Sequence, residues 1–352
     1  QRQMCIRDSL YPEEGIVSSK YSFGGGLDSY YEYLVKEHQL LGGVLPQYER
    51  MFTEAMDSAE QHLWKNVTVV PHAPSLSVVV SSMGHGRSQV SLEHLACFSG
   101  GMMALGSRIV PDRRHYLNIA RMTTETCYWG YNSSLTGLGA EALEFYHPQD
   151  KDLYRVVTEA DGTRHRGPPV GDPFVGVRYI WHEDHRNRPE VIESVLYMWR
   201  TTGDPVWQER GWQMFASWMT HCLTRSGTST IYDVNAVPVR HSDSMESFVL
   251  AETFKYYYLL FSPPDLVSLD DFVFSTEAHP FLLPRAGRWA RAGDVPASFP
   301  RVDRRFPAIL RPRGQGTPMQ RGLWEAQRQA SGKTARLLEV LWAEVNDTGA
   351  VV

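Results

Sequence analysis

Three segments of the chain carry acidic and hydroxyl side chains of the kinds that hydrolytic chemistry uses. Asp28 and Glu32 lie one helical turn apart, Glu190 and Glu193 are three residues apart, and Thr276 precedes a further glutamate. Two carboxyl groups on distant elements can act as a pair, one donating a proton to a leaving oxygen and the other deprotonating water. Oxygen ligands are also what calcium prefers. These residue types suit acid–base hydrolysis beside a calcium ion.

Five segments resemble, in order, motifs of the class I α-1,2-mannosidases, family 47 of the glycoside hydrolases. The segments are GGGLDSYYEYL, HLACFSGGMMALGS, TGLGAE, RNRPEVIES, and ESFVLAETFKYYYLLF followed by STEAHP. The resemblance extends from about Lys20 to Pro280. It implies an all-α fold, an (α/α)7 barrel with small β-hairpin insertions, whose active site lies in the central cavity with calcium at the bottom.

The resemblance also implies roles for single residues. Asp28 matches a catalytic carboxylate, Glu190 matches the general base that activates water, and Thr276 matches a calcium ligand that uses its carbonyl and hydroxyl oxygens. The residues expected to contact substrate are Arg188, Glu193, Phe248, Glu252, Glu32 and His94. Those expected to hold the calcium indirectly, through its waters, are Glu277, Glu252 and Glu193.

Several of these residues also have an ordinary structural interpretation. Asp28 could cap a helix, and Arg188 with Glu193 could form an exposed ion pair. Phe248 could be a core residue of its helix, and Thr276 could belong to an ordinary turn. The functional interpretation therefore depends on the five segments occurring together.

The composition favours a neutral ligand over a charged polymer. A chain of 352 residues with 42% hydrophobic content can bury a large core, and its net charge of −5 provides no basic field for nucleic acid. The resemblance implies high-mannose N-glycans on glycoproteins as substrate and Ca²⁺ as cofactor. No apolar run reaches the roughly 18 to 20 residues of a membrane span, although a longer parent protein could carry an N-terminal anchor.

Cys97 and Cys127 match positions that form a disulfide in many members of the family, which agrees with a secretory location. We expect the protein in the Golgi or endoplasmic reticulum, or secreted, although the sequence shows no targeting signal. The N-glycosylation sequons at Asn66, Asn132 and Asn346 agree with this expectation.

Hydrophobic spacing predicts antiparallel helix pairs that would position the candidate residues. Predicted helices occupy 28–41, 46–63, 92–105, 113–131, 190–201, 205–224 and 245–261. A β-branched stretch predicts a hairpin at 67–80, and the polar, Gly- and Pro-rich stretch 151–179 predicts a hairpin or long loop. Asp28 and Glu190 would each lie at the start of a helix.

The sequence divides into four predicted regions. Residues 1–9 match no domain beginning and are expected to be foreign to the protein. Residues 10–283 are predicted to form a partial (α/α) barrel, the mannosidase domain. The Arg- and Pro-rich residues 284–322 are predicted to be disordered, and 323–352 are predicted to form a C-terminal helix with no assigned place in the fold.

Two departures from the family pattern lead to further expectations. Nothing corresponds to the FExxxR motif, whose glutamate acts as the acid, so we expect an N-terminally incomplete mannosidase with impaired turnover. Gly26 stands where some endoplasmic-reticulum members carry an arginine, which indicates a chain closer to the Golgi and fungal members. The predicted function is an inverting, calcium-dependent α-1,2-mannosidase. The alternative is a mannosidase-like lectin of endoplasmic-reticulum quality control that binds mannose glycans without turnover.

Overall fold

Seven α-helices are the main elements of the part of the chain that the computed structural model describes. This part comprises residues 10–11, 15–16, 21–67, 76–79, 81–82, 88–145, 156–158, 164–166 and 177–284. The helices are α1 (Asp28–Leu40), α2 (Pro46–His62), α3 (Phe98–Ile109), α4 (Tyr116–Asn132), α5 (Glu190–Thr202), α6 (Val206–Cys222) and α7 (Phe254–Leu260). None of the helices described here is both long and apolar enough to cross a membrane.

Short antiparallel strands join the helices. In chain order the strands are β1 (Leu10–Tyr11), β2 (Gly15–Ile16), β3 (Trp64–Val67), β4 (Leu76–Val79), β5 (Ser81–Ser82), β6 (Ser88–Gln89), β7 (Ser91–Glu93), β8 (Ala142–Phe145), β9 (Val156–Thr158), β10 (Arg164–Arg166), β11 (Val177–His182), β12 (Phe272–Phe274) and β13 (Pro280–Leu282). The pairs are β1–β2, β3–β4, β5–β6, β9–β10 and β12–β13, and β8 lies between β7 and β11 in a three-stranded sheet. These strands flank the helical layer.

Helix α3 is the centre of the core because neighbouring helices cover almost its whole surface. It packs against both α4 and α5. A Cβ atom at Gly100 would lie 2.4 Å from the Thr124 hydroxyl, and one at Gly101 would lie 3.0 Å from the Tyr197 ring. The two glycines thus let α4 and α5 approach closely, and this close packing fixes the start of α5 relative to α3.

Two further contacts tie α5 to the segment before α3. The Ser194 hydroxyl donates to the Cys97 carbonyl and accepts from the Gly101 amide at 2.8 Å. Cys97 itself forms a disulfide with Cys127 on α4, with Cα atoms 6.0 Å apart. The predicted pairing is confirmed, and Cys222 is a buried free cysteine.

The structure corrects three predicted elements. The helix expected at 92–105 begins only at Phe98, because β7 pairs with β8 and the His94 amide donates to the Glu141 carbonyl at 2.9 Å. Asp28 is the first residue of α1 and not its N-cap, which is Leu27. The expected helix 245–261 consists of a π-helical turn, Val249–Thr253, followed by α7. The predictions for residues 1–9, 285–352 and most of 151–176 lie outside the described residues.

Candidate active site

Glu190 is the first residue of α5, and its side chain is partly exposed, with 13% of its surface accessible. Burial raises the pKa of Glu190 to about 8, although the nearby Arg188 charge opposes this. The negative charges of Asp28 and Glu32 contribute to the raised pKa. A carboxyl group whose pKa is moved this far is typical of functional sites.

His94 links Glu190 to the core. Its Nδ1 lies 2.8 Å from Glu190 Oε2, and its Nε2 lies 2.7 Å from the Tyr131 hydroxyl. Burial lowers the pKa of His94 to about 4, so the ring is neutral near pH 7. Burial also raises the pKa of Tyr131, which therefore keeps its proton. When Glu190 is ionised, Nδ1 must carry the ring proton and donate it, and Tyr131 then donates to Nε2.

Asp28 lies in the same site as Glu190. Its carboxylate is half-buried and accepts from the Ser29 amide at 2.7 Å. Burial raises the pKa of Asp28, the charge on Glu32 raises it further, and the Arg188 charge opposes the rise. Arg188 and Glu32 therefore act on both Asp28 and Glu190, two carboxyl groups from different helices.

Arg188 is held by Glu141 and not by Glu193. Its Nε donates to Glu141 Oε2 at 2.5 Å, and its guanidinium lies 5.7 Å from the centre of the Phe248 ring. Phe248 is half-buried, so Arg188 and Phe248, which were each expected to contact substrate, pack together where solvent reaches the site. The alternative of an exposed Arg188–Glu193 ion pair is wrong, because Glu193 has a different partner.

Lys36 is that partner, and it lies between two buried carboxylates. Its ammonium pairs with Glu32 on the same helix and lies 3.5 Å from Glu193 Oε1, with 3% of the lysine side chain exposed. The Tyr256 hydroxyl donates to Glu193 Oε1 at 3.2 Å. Burial would lower the pKa of Lys36, but the charges on Glu32 and Glu193 outweigh it and raise the pKa, so the lysine stays charged.

Glu252 enters the cluster from the π-helical turn. Burial, together with the charges of Glu190 and Glu277, raises the pKa of Glu252 to about 8. The turn is anchored by Thr253, whose hydroxyl donates to the Asn187 carbonyl at 2.7 Å. A π-helical turn at this place agrees with the frequent occurrence of such turns at functional sites.

Thr276 lies in a tight turn between β12 and β13. The Ser275 amide donates to the His279 carbonyl at 2.8 Å, and the Thr276 amide donates to the Tyr33 hydroxyl at 3.2 Å. Lys255 Nζ donates to the Ala278 carbonyl at 2.8 Å. Among the described residues, the Thr276 hydroxyl and carbonyl oxygens make no hydrogen bond, and this pair of hard oxygen donors fits a calcium ion.

The three residues expected to hold the calcium through its waters differ in how exposed they are. Glu193 and Glu252 are buried, whereas the Glu277 side chain is 72% exposed and lies 3.8 Å from His279. The described residues contain no group of three or more His, Cys, Asp or Glu side chains arranged to hold a metal. Direct ligation would thus come from Thr276, with carboxylates acting through water.

Sequence reasoning missed four residues of the site: Lys36, Tyr131, Glu141 and Tyr256. Lys36 had a local signal, since it stands four residues after Glu32 on the same helix face. Glu141 lies in the TGLGAE segment but carried no assigned role. The two tyrosines had no signal, because their partners are distant in sequence.

Comparison with known proteins places the chain among carbohydrate hydrolases. The family described as Glycosyl hydrolase family 47 matches residues 4–283. Human mannosyl-oligosaccharide 1,2-alpha-mannosidase IC is 37% identical over 266 residues, which cover 75% of this chain and 38% of the relative. The probable mannosyl-oligosaccharide alpha-1,2-mannosidase 1B of Aspergillus niger is 32% identical over 268 residues, which cover 74% of this chain and 48% of the relative.

The solved structure of the alpha-1,2-mannosidase from Trichoderma reesei matches with a TM-score of 0.65 and 29% identity, covering 76% of this chain and 54% of that chain. The described helices therefore belong to an (α/α)7 barrel, and the predicted fold class is confirmed. The chain spans less than half the length of the two curated relatives above.

Proposed function

This chain belongs to glycosyl hydrolase family 47, and we propose that it catalyses the calcium-dependent release of α-1,2-linked mannose from high-mannose N-glycans, with inversion at the anomeric carbon. The names of its relatives support the substrate class. The observation that carries the proposal is the hydrogen bond from the buried His94 that orients Glu190, a carboxyl group that also feels the charges of Asp28 and Glu32. Inversion uses two carboxyl groups about 6.5 to 9.5 Å apart, with water between one of them and the sugar.

Glu190 is assigned as the base. His94 occupies its Oε2, so Oε1 is the atom that takes the proton from water. The neutral ring keeps the carboxylate oriented without neutralising it, because the histidine donates a hydrogen bond and no charge. Asp28 is the second carboxyl group, and it is assigned the transfer of a proton to the leaving oxygen because its charge acts on Glu190 from a different helix.

Thr276 would hold the calcium through its carbonyl and hydroxyl oxygens, with Glu193, Glu252 and Glu277 bonding its waters. When bound, calcium orients sugar hydroxyls and offsets the negative charge of the cluster. Arg188 and Phe248 form the edge against which the sugar packs, with the guanidinium fixed by Glu141. The proposal includes a location in the secretory pathway, because one human relative is named an endoplasmic reticulum enzyme.

The test is mannose release by the full chain from α-1,2-linked mannobiose, followed by proton NMR. β-Mannose should form first, and a calcium chelator should stop its release. Glu190→Gln should lower the rate roughly 10²- to 10⁴-fold, whereas Glu209→Gln, on the exposed side of α6, should not change it.

The same assay separates the alternatives. Initial release of α-mannose, or release that is insensitive to chelator, would contradict the proposed mechanism. Glycan binding without release by the unsubstituted chain would favour the lectin alternative. The impaired turnover expected from the sequence remains a prediction, which the measured rate tests.

A further inference from the structure

The sequon formed by Asn132, Ser133 and Ser134 lies on a surface turn that the proposed hydrolysis does not use. Asn132 is the last residue of α4, and the two serines follow it directly. Asn132 is exposed, and both serines are half-buried. An asparagine followed two residues later by serine or threonine, with no proline between them, is the acceptor pattern for N-linked glycans.

The neighbours of Asn132 fix the direction of its side chain. Tyr131 is buried, and its hydroxyl lies 2.7 Å from His94 Nε2. The Ser134 hydroxyl donates to the Tyr131 carbonyl at 3.0 Å and accepts from the Leu138 amide at 2.9 Å. Because successive side chains of a helix are about 100° apart, the residue after the inward-pointing tyrosine can face solvent. A glycan on Asn132 would therefore extend away from the protein.

A complete sequon distinguishes Asn132 from the other exposed asparagines. Asn118 is exposed on the same helix, but Ala120 stands two residues after it. Asn66 is exposed on β3, but Thr68, the third residue of its sequon, lies outside the described residues. Within the part of the chain that the structure describes, only Asn132 combines an exposed side chain with a sequon that is described in full.

The disulfide provides a second, independent observation on the same helix. Cys127, one turn and a half before Asn132 on α4, is bonded to Cys97. Disulfides form and persist in oxidising compartments such as the lumen of the endoplasmic reticulum, and they are rare in the cytosol. N-linked glycans are added to newly made chains in that same lumen. The disulfide and the sequon therefore indicate passage through one compartment.

We propose that Asn132 is an N-glycosylation site. The co-substrate is an oligosaccharide linked through its anomeric carbon to a lipid diphosphate, and the compartment supplies it together with the transferring enzyme. Asn132 Nδ2 bonds to that anomeric carbon and releases one proton to solvent. The bond between the anomeric carbon and the diphosphate oxygen breaks, and the lipid diphosphate leaves as the anion. This inference rests on the proposed location in the secretory pathway and not on the proposed hydrolysis.

The hydrogen bonds of the folded turn determine when the glycan can be added. The transferring enzyme has to reach Asn132 Nδ2 and the Ser134 hydroxyl together, but in the folded chain this hydroxyl is bonded to Tyr131 and Leu138. Addition must therefore precede closure of the turn, while the chain is being made. An assay during translation is the appropriate one, and its result does not depend on whether a variant folds.

The experiment is translation of the full chain, preceded by a signal peptide, in the presence of microsomes. Asn66→Gln and Asn346→Gln are present in every sample, so that Asn132 provides the remaining sequon. The chain should migrate more slowly in denaturing electrophoresis, and an N-glycosidase should abolish this shift. Asn132→Gln should lose the shift, whereas Asn118→Gln, which removes an exposed asparagine from the same helix, should keep it.

Two variants of Ser134 test the recognised hydroxyl. Ser134→Ala keeps the acceptor Asn132 and should lose the shift, whereas Ser134→Thr keeps a hydroxyl and should retain the shift. Protection from added protease shows that each chain has entered the microsomes.

Two results would overturn the assignment: a glycosidase-sensitive shift that persists in Asn132→Gln, and a protease-protected chain that keeps Asn132 but shows no shift. Because the signal peptide supplies the compartment, the second result rejects the site and leaves the proposed location untouched. A chain that shows the shift but releases no mannose would retain the glycosylation site and reject the proposed hydrolysis.

Discussion

His94 Nδ1 lies 2.8 Å from Glu190 Oε2, and the opposite nitrogen of the same ring lies 2.7 Å from the Tyr131 hydroxyl. A neutral imidazole carries one proton, so the tyrosine and the carboxylate can receive that proton only alternately. With Tyr131 donating, the ring donates to Glu190 and keeps the carboxylate ready to accept from water. The buried Tyr131 thereby orients the proposed catalytic base, Glu190, which it does not touch.

We expect the stability of the calcium-free chain to fall as pH rises from about 5 to 8. Burial raises the pKa of Glu190 to about 8, whereas an unfolded glutamate titrates near 4.5. Between these values the folded chain holds a proton that the unfolded chain has released, so rising pH favours unfolding. The Glu190→Gln variant should regain at least about 1.4 kcal/mol of the free energy of unfolding at pH 8, the equivalent of one pKa unit.

Urea unfolding at several pH values, with chelator present, measures this change in stability. Glu209→Gln is the control, and identical pH slopes in the two variants would contradict the prediction.

Lys36→Met should destabilise the chain by about 3 to 5 kcal/mol near pH 8, because it leaves buried Glu32 and Glu193 without their cation. The loss should be smaller at pH 5, where the unpaired carboxyl groups can take up protons. Urea unfolding of Lys36→Met and of the surface variant Lys65→Met provides the comparison. Equal stabilities for the two variants would show that the buried lysine is not needed to compensate these charges.

Thr276→Ala should abolish calcium binding, since it removes one of two oxygens that make no hydrogen bond among the described residues. Calorimetric titration of the full chain with CaCl₂ measures this directly and does not depend on activity. Ser226→Ala removes an exposed hydroxyl elsewhere and should bind calcium normally. Indistinguishable titrations for Thr276→Ala and the unsubstituted chain would reject the metal assignment.

Asn187 combines a left-handed backbone, with φ of +60°, and a buried side chain whose Oδ1 accepts from Trp218 Nε1 at 2.6 Å. Asn187→Ala should cost about 2 to 4 kcal/mol, because it loses the acceptor and strains the backbone. Asn187→Gly loses the acceptor but tolerates the conformation, so it should be about 1 kcal/mol less destabilised. Urea unfolding of both variants tests the order, and equal losses would show that the backbone conformation contributes nothing.

Loss of the disulfide should destabilise the chain by about 3 to 4 kcal/mol, as chain entropy predicts for cysteines 30 residues apart. Cys97→Ala with Cys127→Ala tests this by urea unfolding against Cys222→Ala, which removes only a buried thiol. Peptide mapping under non-reducing conditions should recover the Cys97–Cys127 pair from the unsubstituted protein. Two free thiols at these positions would disprove the pairing.

The sequence by itself determined the family segments and the helices whose apolar residues repeat at helical spacing. Helix α2 was predicted within one residue at its end, and Glu190 was correctly expected to begin α5. These features depend on interactions between residues close in the chain, so the local pattern contains them. The pairing of Cys97 with Cys127 was also available in advance, through resemblance and not through geometry.

Only the tertiary structure decided the strand pairing and the ion pairs between residues that are far apart in the chain. Residues 92 and 93 leave the predicted helix because β7 pairs with β8, about 50 residues later in the chain, and His94–Cys97 form a 3₁₀ turn before α3. Arg188 pairs with Glu141 and Glu193 with Lys36, although Arg188 and Glu193 are near neighbours in sequence. A buried charge costs several kcal/mol unless an opposite charge lies beside it, and only the packed fold decides which charges meet.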